Sequence, residues 1–433
     1  MADAAFDCIV VGAGPGGYVA AIRAAQLGMR TAVVERDKVG GRCLNYACIP
    51  AKAVLRSADL LGEVREAAEY GLRIAGAEVD YQAVQARREK IVTTLTGGVA
   101  GLFKRNGIEL IEGAATLAGA TPARVEVAGR ELEARIVVLA TGSVPRSLPG
   151  MALEGRVIGT EQAWALTELP TRLAVLGAGA SGAEIASGFA RLGSEVLLLE
   201  ALDRLLPSED ADVSRLVERG FRQQGVKVFT STLVEDVQAG DDGVAFSHGG
   251  ETERVDFLVI ATGRAPDLDA LGLERAGVQT DEHGFVRVDA AQRTTAPGIY
   301  AIGDLVPGPA LAHKASDEGI LAVEDAAGRP TRPIAHGDIP RATFCTPNVG
   351  SFGLTEAQAR ERGNDVVVGK VPYGAVGGGT VYGDRGGLVK VVGDARYGEL
   401  LGAHIVGSRA TELIQEVVNV RALEGGYPEL ARI

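Results

Sequence analysis

Two stretches of this chain repeat each other at a constant offset of 165 residues, and that repeat limits the fold more than any other feature. The first is 9-IVVGAGPGGYVAAIRAAQLGMRTAVVE-35; the second is 174-AVLGAGASGAEIASGFARLGSEVLLLE-200. Gly12, Gly14, Gly17 and Glu35 align with Gly177, Gly179, Gly182 and Glu200. Each copy reads as a buried apolar strand, a G-x-G-x-x-G turn, an Ala-rich helix closed by Leu-Gly, and a second apolar strand ending in glutamate. That is the order of a dinucleotide-binding βαβ unit. Its glycines make the tight turn and let the backbone approach a pyrophosphate at the positive helix start. The terminal glutamate can accept hydrogen bonds from a ribose.

A chain of 433 residues exceeds one ordinary core, so two to four domains are expected. Glycine, at 59 residues, is nearly twice its usual share and implies many tight turns or close backbone approaches. The net charge of −12 argues against nucleic acid or an anionic membrane as the main partner. The N-terminus runs straight into a strand pattern, and no apolar run reaches membrane-spanning length. A cytoplasmic protein is the simplest expectation.

The rest of the sequence argues which nucleotides are bound. Glu200 would repel the 2′-phosphate of NADP, so the second site favours NAD; Arg204, four residues on, is the one nearby feature that would suit NADP. The first site is followed within a few residues by a cysteine pair, and flavin is the dinucleotide that exchanges electrons with thiols. FAD first and NAD second is the inference. The strand-plus-turn 136-IVVLATGSVPR-146 recurs as 257-FLVIATGRAPD-267, which marks points where the chain leaves one nucleotide domain and returns from the other. In 298-GIYAIGDL-305, Asp304 is placed to bind a hydroxyl chain such as the ribitol of flavin.

Two of the four cysteines, Cys43 and Cys48, share the stretch 40-GGRCLNYACIPAK-52. Zinc needs about four ligands, and the histidines (His248, His283, His313, His336, His404) show no matching cluster. In a regular helix five residues rise about 7.5 Å, beyond the ~6.8 Å ceiling between bridged Cα atoms. A bridge here therefore requires a distorted turn, and distorted bridges are easier to reduce. Cys8 and Cys345 lie in apolar contexts and read as inert packing.

GGRCLNYACIPAK resembles the redox-active motif of the flavin-dependent disulfide reductases (class I pyridine nucleotide-disulfide oxidoreductases). Within them it is most similar to the dihydrolipoamide dehydrogenases, with glutathione and mercuric reductases as relatives. The resemblance runs from residue 6 to the end of the chain and includes 308-GPALAHKASDEGI-320 and 402-GAHIVGSRATELI-414. It implies that Cys43 and Cys48 form a redox-active disulfide. Cys48 would exchange electrons with FAD, and Cys43 would form the mixed disulfide with substrate. Lys52 would lie near the flavin ring, paired with Glu184. FAD would further contact Gly41, Gly113, Thr141, Gly142, Asp304, Ala312 and His313, and NAD would contact Gly263. The implied reaction oxidises dihydrolipoamide and passes electrons to NAD+, serving a lipoyl-bearing protein of a 2-oxo acid dehydrogenase or glycine-cleavage complex. A homodimer is likewise implied.

Arg42 replaces a threonine usual in the motif, and Tyr46-Ala47 replaces the usual residue-glycine. Both change the packing near the cysteines. The resemblance also implies a C-terminal His-Pro-Thr segment whose general base contributes about 10²- to 10⁴-fold. The sequence stops at 424-EGGYPELARI-433, where that segment would begin, so impaired lipoamide turnover is expected of this chain.

The expected fold is α/β. An FAD-binding domain comprises residues 1–145 and 265–335, an NAD-binding domain 146–264, and an α+β interface or dimerisation domain 336–433. Within the last, 374-GAVGGGTVYGDRGG-387 reads as a turn or flexible hairpin, and 410-ATELIQEVVNVRAL-423 as a packed helix. Two rival functions stand beside the leading one: an NADH diaphorase without a disulfide substrate, and a catalytically dead binding subunit of a multienzyme complex.

Overall fold

A computed structural model describes residues 6–146, 148 and 150–432. The chain forms two compact units. The first draws on residues up to Pro50, Arg87–Arg146 and Arg264–His336; the second on Ala51–Ala86, the stretch between Arg146 and Arg264, and residues from Gly337 onward.

At the centre of the first unit, strand Phe6–Val11 lies parallel between Thr31–Glu35 and Arg130–Leu139, with Glu109–Glu112 beyond Thr31–Glu35. The long strand Arg130–Leu139 changes character along its length. Its first half pairs antiparallel with Ala123–Val127; its second half is flanked by the parallel strands Phe6–Val11 and Ile299–Ala301. The sequence RELEARIVVL records the change, alternating in burial and then buried without a break. An antiparallel ribbon with one wet face and a parallel sheet covered on both faces demand those two patterns. The turns after the two ATG echoes end in strands Ser143–Pro145 and Arg264–Pro266, which pair antiparallel with each other.

The second unit repeats the parallel sheet, in the order Lys227–Phe229, Glu195–Leu199, Arg172–Leu176, Phe257–Ile260, Val157–Gly159. A three-stranded meander spans Glu235–Val255. A C-terminal five-stranded antiparallel sheet, with Leu400–Val406 between Val349–Gly353 and Leu388–Asp394, carries helix Ala410–Ala422 on a core of Phe352, Ile405, Ile414 and Val417.

The glycine-rich stretch 374–387 is not a hairpin: it forms the turn Tyr373–Ala375 and a short helix, Gly377–Val381. Two of its glycines make room for Tyr373. A Cβ at Gly379 would overlap the Tyr373 carbonyl, and one at Gly387 would come within 2.6 Å of the ring. No helix among the described residues is long and apolar enough to cross a membrane.

Candidate functional site

The two glycine turns match at atomic detail. Gly12 has φ +103° and Gly177 φ +99°, values that favour glycine. A Cβ at Gly17 would overlap the carbonyl oxygen of Gly12, and one at Gly182 that of Gly177, so each third glycine lets its helix close on the turn. Gly14 and Gly179 sit at the N-caps of helices Pro15–Gln26 and Ala180–Leu192, with no side chain capping either. A Cβ at either would meet nothing within 4 Å. Each helix therefore opens on bare backbone N–H groups, a cradle that fits a pyrophosphate.

The glutamates match as well. Glu35 Oε2 accepts from the Ala13 N–H at 2.7 Å and Oε1 from the Asp37 N–H at 2.9 Å. Glu200 repeats this with Ala178 at 2.6 Å and Leu202 at 2.9 Å. Each carboxylate is thereby fixed by backbone at the strand end while keeping lone pairs for a ribose. Arg204 donates to the Pro207 carbonyl at 2.9 Å, within its own loop.

The cysteine motif is fastened to the first turn. Gly40 (φ +95°) donates to the Ala13 carbonyl at 2.9 Å, and a Cβ on Gly41 (φ +56°) would come within 2.6 Å of the Gly14 Cα. Cys43 lies in the short helix Gly41–Asn45, and Cys48 opens the long helix Cys48–Glu66. The two are joined as a disulfide with Cα atoms 4.7 Å apart. The break between the helices supplies the distorted turn that the spacing requires: both Tyr46 and Ala47 N–H groups fold back to the Arg42 carbonyl. The Tyr46 hydroxyl donates to Asp37 at 2.7 Å, and Lys38 lies over its ring.

In the second unit, Lys52 Nζ lies 2.8 and 2.7 Å from the two carboxylate oxygens of Glu184, and 4.6 Å from the centre of the Phe344 ring. Glu184 also accepts the Phe344 N–H at 3.0 Å. Gly188 allows helix Ala180–Leu192 to approach helix Cys48–Glu66, since a Cβ there would come within 2.9 Å of Leu55. Gly263 has φ +124° and faces open space.

The remaining residues expected at the flavin gather in the first unit. Gly113 donates to the Glu35 carbonyl; Thr141 donates through its hydroxyl to Asp267, and Gly142 accepts from Asp267 N–H. Asp304 accepts the Ser143 hydroxyl at 2.5 Å, which in turn accepts from Arg264 Nε at 2.8 Å. Ala312 and His313 start helix Ala312–Ala326, which is locked to helix Pro15–Gln26 by Gly16 and Gly319.

Two residues that sequence reasoning missed lie in that helix. Lys314 donates to the Gly303 carbonyl at 2.8 Å and Glu318 accepts the Gly303 N–H at 2.7 Å. Together they hold both polar groups of the residue preceding Asp304. Their i,i+4 spacing in HKASDEG was the available signal. Burial outweighs the Lys314 charge and raises the Glu318 carboxyl to about 6; burial and Lys314 lower the neighbouring His336.

His404 is fully buried in its strand, 3.0 Å from the Leu354 carbonyl. Both free thiols are fully buried, which pushes Cys8 up to about 12 and Cys345 upward likewise.

Residues 6–319 match the family model described as pyridine nucleotide-disulphide oxidoreductase, and residues 339–431 match its dimerisation domain. The dihydrolipoyl dehydrogenase of Thermus scotoductus is 42% identical over 428 residues, covering 97% of this chain and 91% of that protein. That of Zymomonas mobilis is 40% identical, covering 99% of this chain and 94% of that protein. Among solved structures, the HOCl-induced flavoprotein disulfide reductase RclA from Escherichia coli aligns with a TM-score of 0.88 at 28% identity, over 98% of this chain and 95% of that one. LpdA from Mycobacterium tuberculosis aligns with a TM-score of 0.89 at 28% identity, over 95% and 92%.

Proposed function

This chain belongs to the pyridine nucleotide-disulphide oxidoreductase family, and on that premise we propose that it is a cytoplasmic, homodimeric dihydrolipoyl dehydrogenase serving the lipoyl-bearing protein of a 2-oxo acid dehydrogenase or glycine-cleavage complex. The observation that carries the reading is the Cys43–Cys48 disulfide, set across a helix break and fastened to the first dinucleotide turn. Relatives named dihydrolipoyl dehydrogenase, about 40% identical over nearly the whole chain, favour a lipoyl dithiol as substrate.

A substrate thiolate attacks the Cys43 sulfur, forming a mixed disulfide and releasing Cys48 as a thiolate. The second substrate thiol then attacks the substrate sulfur of that mixed disulfide. The product leaves as a cyclic disulfide, and Cys43 departs as a thiolate that takes up a proton. Two electrons thus move from the dithiol to the cysteine pair. FAD, when bound, supplies the two-electron carrier between this pair and NAD+. Gly12, Gly14, Gly17 and Glu35 would hold the flavin's adenosine diphosphate, with Asp304 on the ribitol. Gly177, Gly179, Gly182 and Glu200 would hold NAD. Lys52, fixed by Glu184, supplies a positive charge one helical turn after Cys48.

The test is anaerobic titration of the FAD-loaded chain with dihydrolipoamide. A long-wavelength charge-transfer absorbance is expected in the wild type, lost in Cys48→Ser, together with NAD+ reduction that is lost in both Cys43→Ser and Cys48→Ser. Faster NADH-driven reduction of glutathione disulfide than dihydrolipoamide oxidation would overturn the substrate assignment.

A further inference from the structure

We propose that residues of the dimerisation domain, Lys390 above all, position the NAD half-site and so set coenzyme affinity. This rests on the reading of the second glycine turn as the NAD site.

The link is the segment between Glu200 and helix Ala211–Gln223. At its start it grips the middle residue of the Gly177-Ala178-Gly179 turn by both polar groups. Glu200 accepts the Ala178 N–H, and the Leu206 N–H donates to the Ala178 carbonyl at 2.9 Å. Leu206 does so from a left-handed backbone, φ +46°, which a leucine holds only where its surroundings enforce it.

At its other end the segment is held by buried charge. Glu209, Asp210 and Asp212 are 5%, 3% and 8% exposed. Their partners come from the C-terminal sheet. Lys390, 3% exposed, places Nζ 2.8 and 2.9 Å from the oxygens of Asp210 and 2.9 Å from both Asp212 and Glu356. Arg341 pairs with Glu209 at 3.0 Å, and the Ser351 hydroxyl donates to Glu209 at 2.5 Å. Lys370 adds a second cation on Asp212 at 2.8 Å. Asp210 also caps helix Ala211–Gln223 through the Asp212 N–H and accepts the Glu356 N–H.

Lys390 is the one ammonium group shared by three carboxylates in this cluster. Without it Asp210 would remain buried without its cation, and relief requires hydration or displacement of the segment. Displacement releases Leu206 from Ala178 and loosens the turn that would bind the pyrophosphate. A residue that matches the dimerisation domain would thus act on coenzyme through the Asp210–Leu206–Ala178 chain.

The test measures NAD+ dissociation constants by equilibrium titration, and KM for NAD+ and for dihydrolipoamide, in FAD-loaded wild type, Lys390→Met and the milder double variant Arg341→Gln/Ser351→Ala. Both variants are expected to bind NAD+ about tenfold more weakly, with dihydrolipoamide KM, FAD content and charge-transfer absorbance unchanged. Asp210→Asn added to Lys390→Met keeps the helix cap and removes one buried charge, so it should restore part of the loss. Equal NAD+ affinity in wild type and in the double variant would overturn the inference, as would a fall in kcat and FAD content with NAD+ KM unmoved. A wild-type chain that binds no NAD+ overturns the underlying reading, and the inference with it.

Discussion

Lys52 and Glu184, 132 residues apart, meet in a two-point ion pair at 2.8 and 2.7 Å, while the same carboxylate accepts the Phe344 N–H at 3.0 Å. One buried carboxylate therefore ties helix Cys48–Glu66 to helix Ala180–Leu192 and to the segment after Thr343.

Glu184→Ala removes the cation's partner and strands the Phe344 N–H together. A loss of about 2–4 kcal/mol is expected, below that of a fully buried pair because the Lys52 side chain is 35% exposed. Glu184→Gln keeps an acceptor for Phe344 and should lose less, about 1 kcal/mol. Urea unfolding of the two variants reads the difference, and equal losses would show that the Phe344 hydrogen bond contributes nothing.

The third glycines should separate the two cofactors. A Cβ at Gly17 or Gly182 overlaps the preceding turn's carbonyl, so alanine at either must spread the turn. Gly17→Ala is expected to lower FAD content with the second βαβ unit intact, and Gly182→Ala to weaken NAD+ binding with FAD retained. Absorbance of bound flavin and NAD+ titration measure both; loss of FAD from Gly182→Ala would break the separation.

Glu318 should leave a signature in stability against pH. Burial raises its carboxyl from the ordinary 4.5 to about 6 in the folded chain. Between those values the folded state binds more protons than the unfolded one, so stability falls as pH rises from 4.5 to 6. The shift corresponds to about 2 kcal/mol at most. Chemical denaturation at both pH values should show the slope, and Glu318→Gln should flatten it.

Thiol counting tests the cysteine assignments. The native oxidised chain should offer no reactive thiol to a disulfide reagent, because Cys8 and Cys345 are buried and Cys43 and Cys48 are bridged. Denaturation without reductant should expose two thiols, and prior reduction all four. Labelling of Cys345 in the native chain would contradict its burial.

Much of the candidate site was legible because its chemistry is local. The echo of IVVLATGSVPR in FLVIATGRAPD announced two matching strand-and-turn units, and G-x-G-x-x-G announced turns that only glycine can make. The Cys43–Cys48 spacing announced a broken helix, which Tyr46 and Ala47 supply. In the stretch 374–387, read as a turn or flexible hairpin, the turn is present but the short helix Gly377–Val381 was not legible, because Gly379 and Gly387 answer to the Tyr373 backbone and ring, which composition does not reveal. Lys314 and Glu318 passed unnoticed since an i,i+4 pair usually lies in solvent, whereas these two turn inward onto Gly303.

By itself the sequence determined what depends on neighbouring residues: two βαβ units, their left-handed glycines and strand-end glutamates, and a cysteine pair that no regular helix could bridge. Only the tertiary structure decided which distant charges meet. Glu209 and Asp210 look like an ordinary acidic turn until Arg341 and Lys390 close on them from strands more than 130 residues away. Backbone stereochemistry is encoded residue by residue, whereas the partner of a buried charge is set by which surfaces pack, and packing belongs to the whole chain.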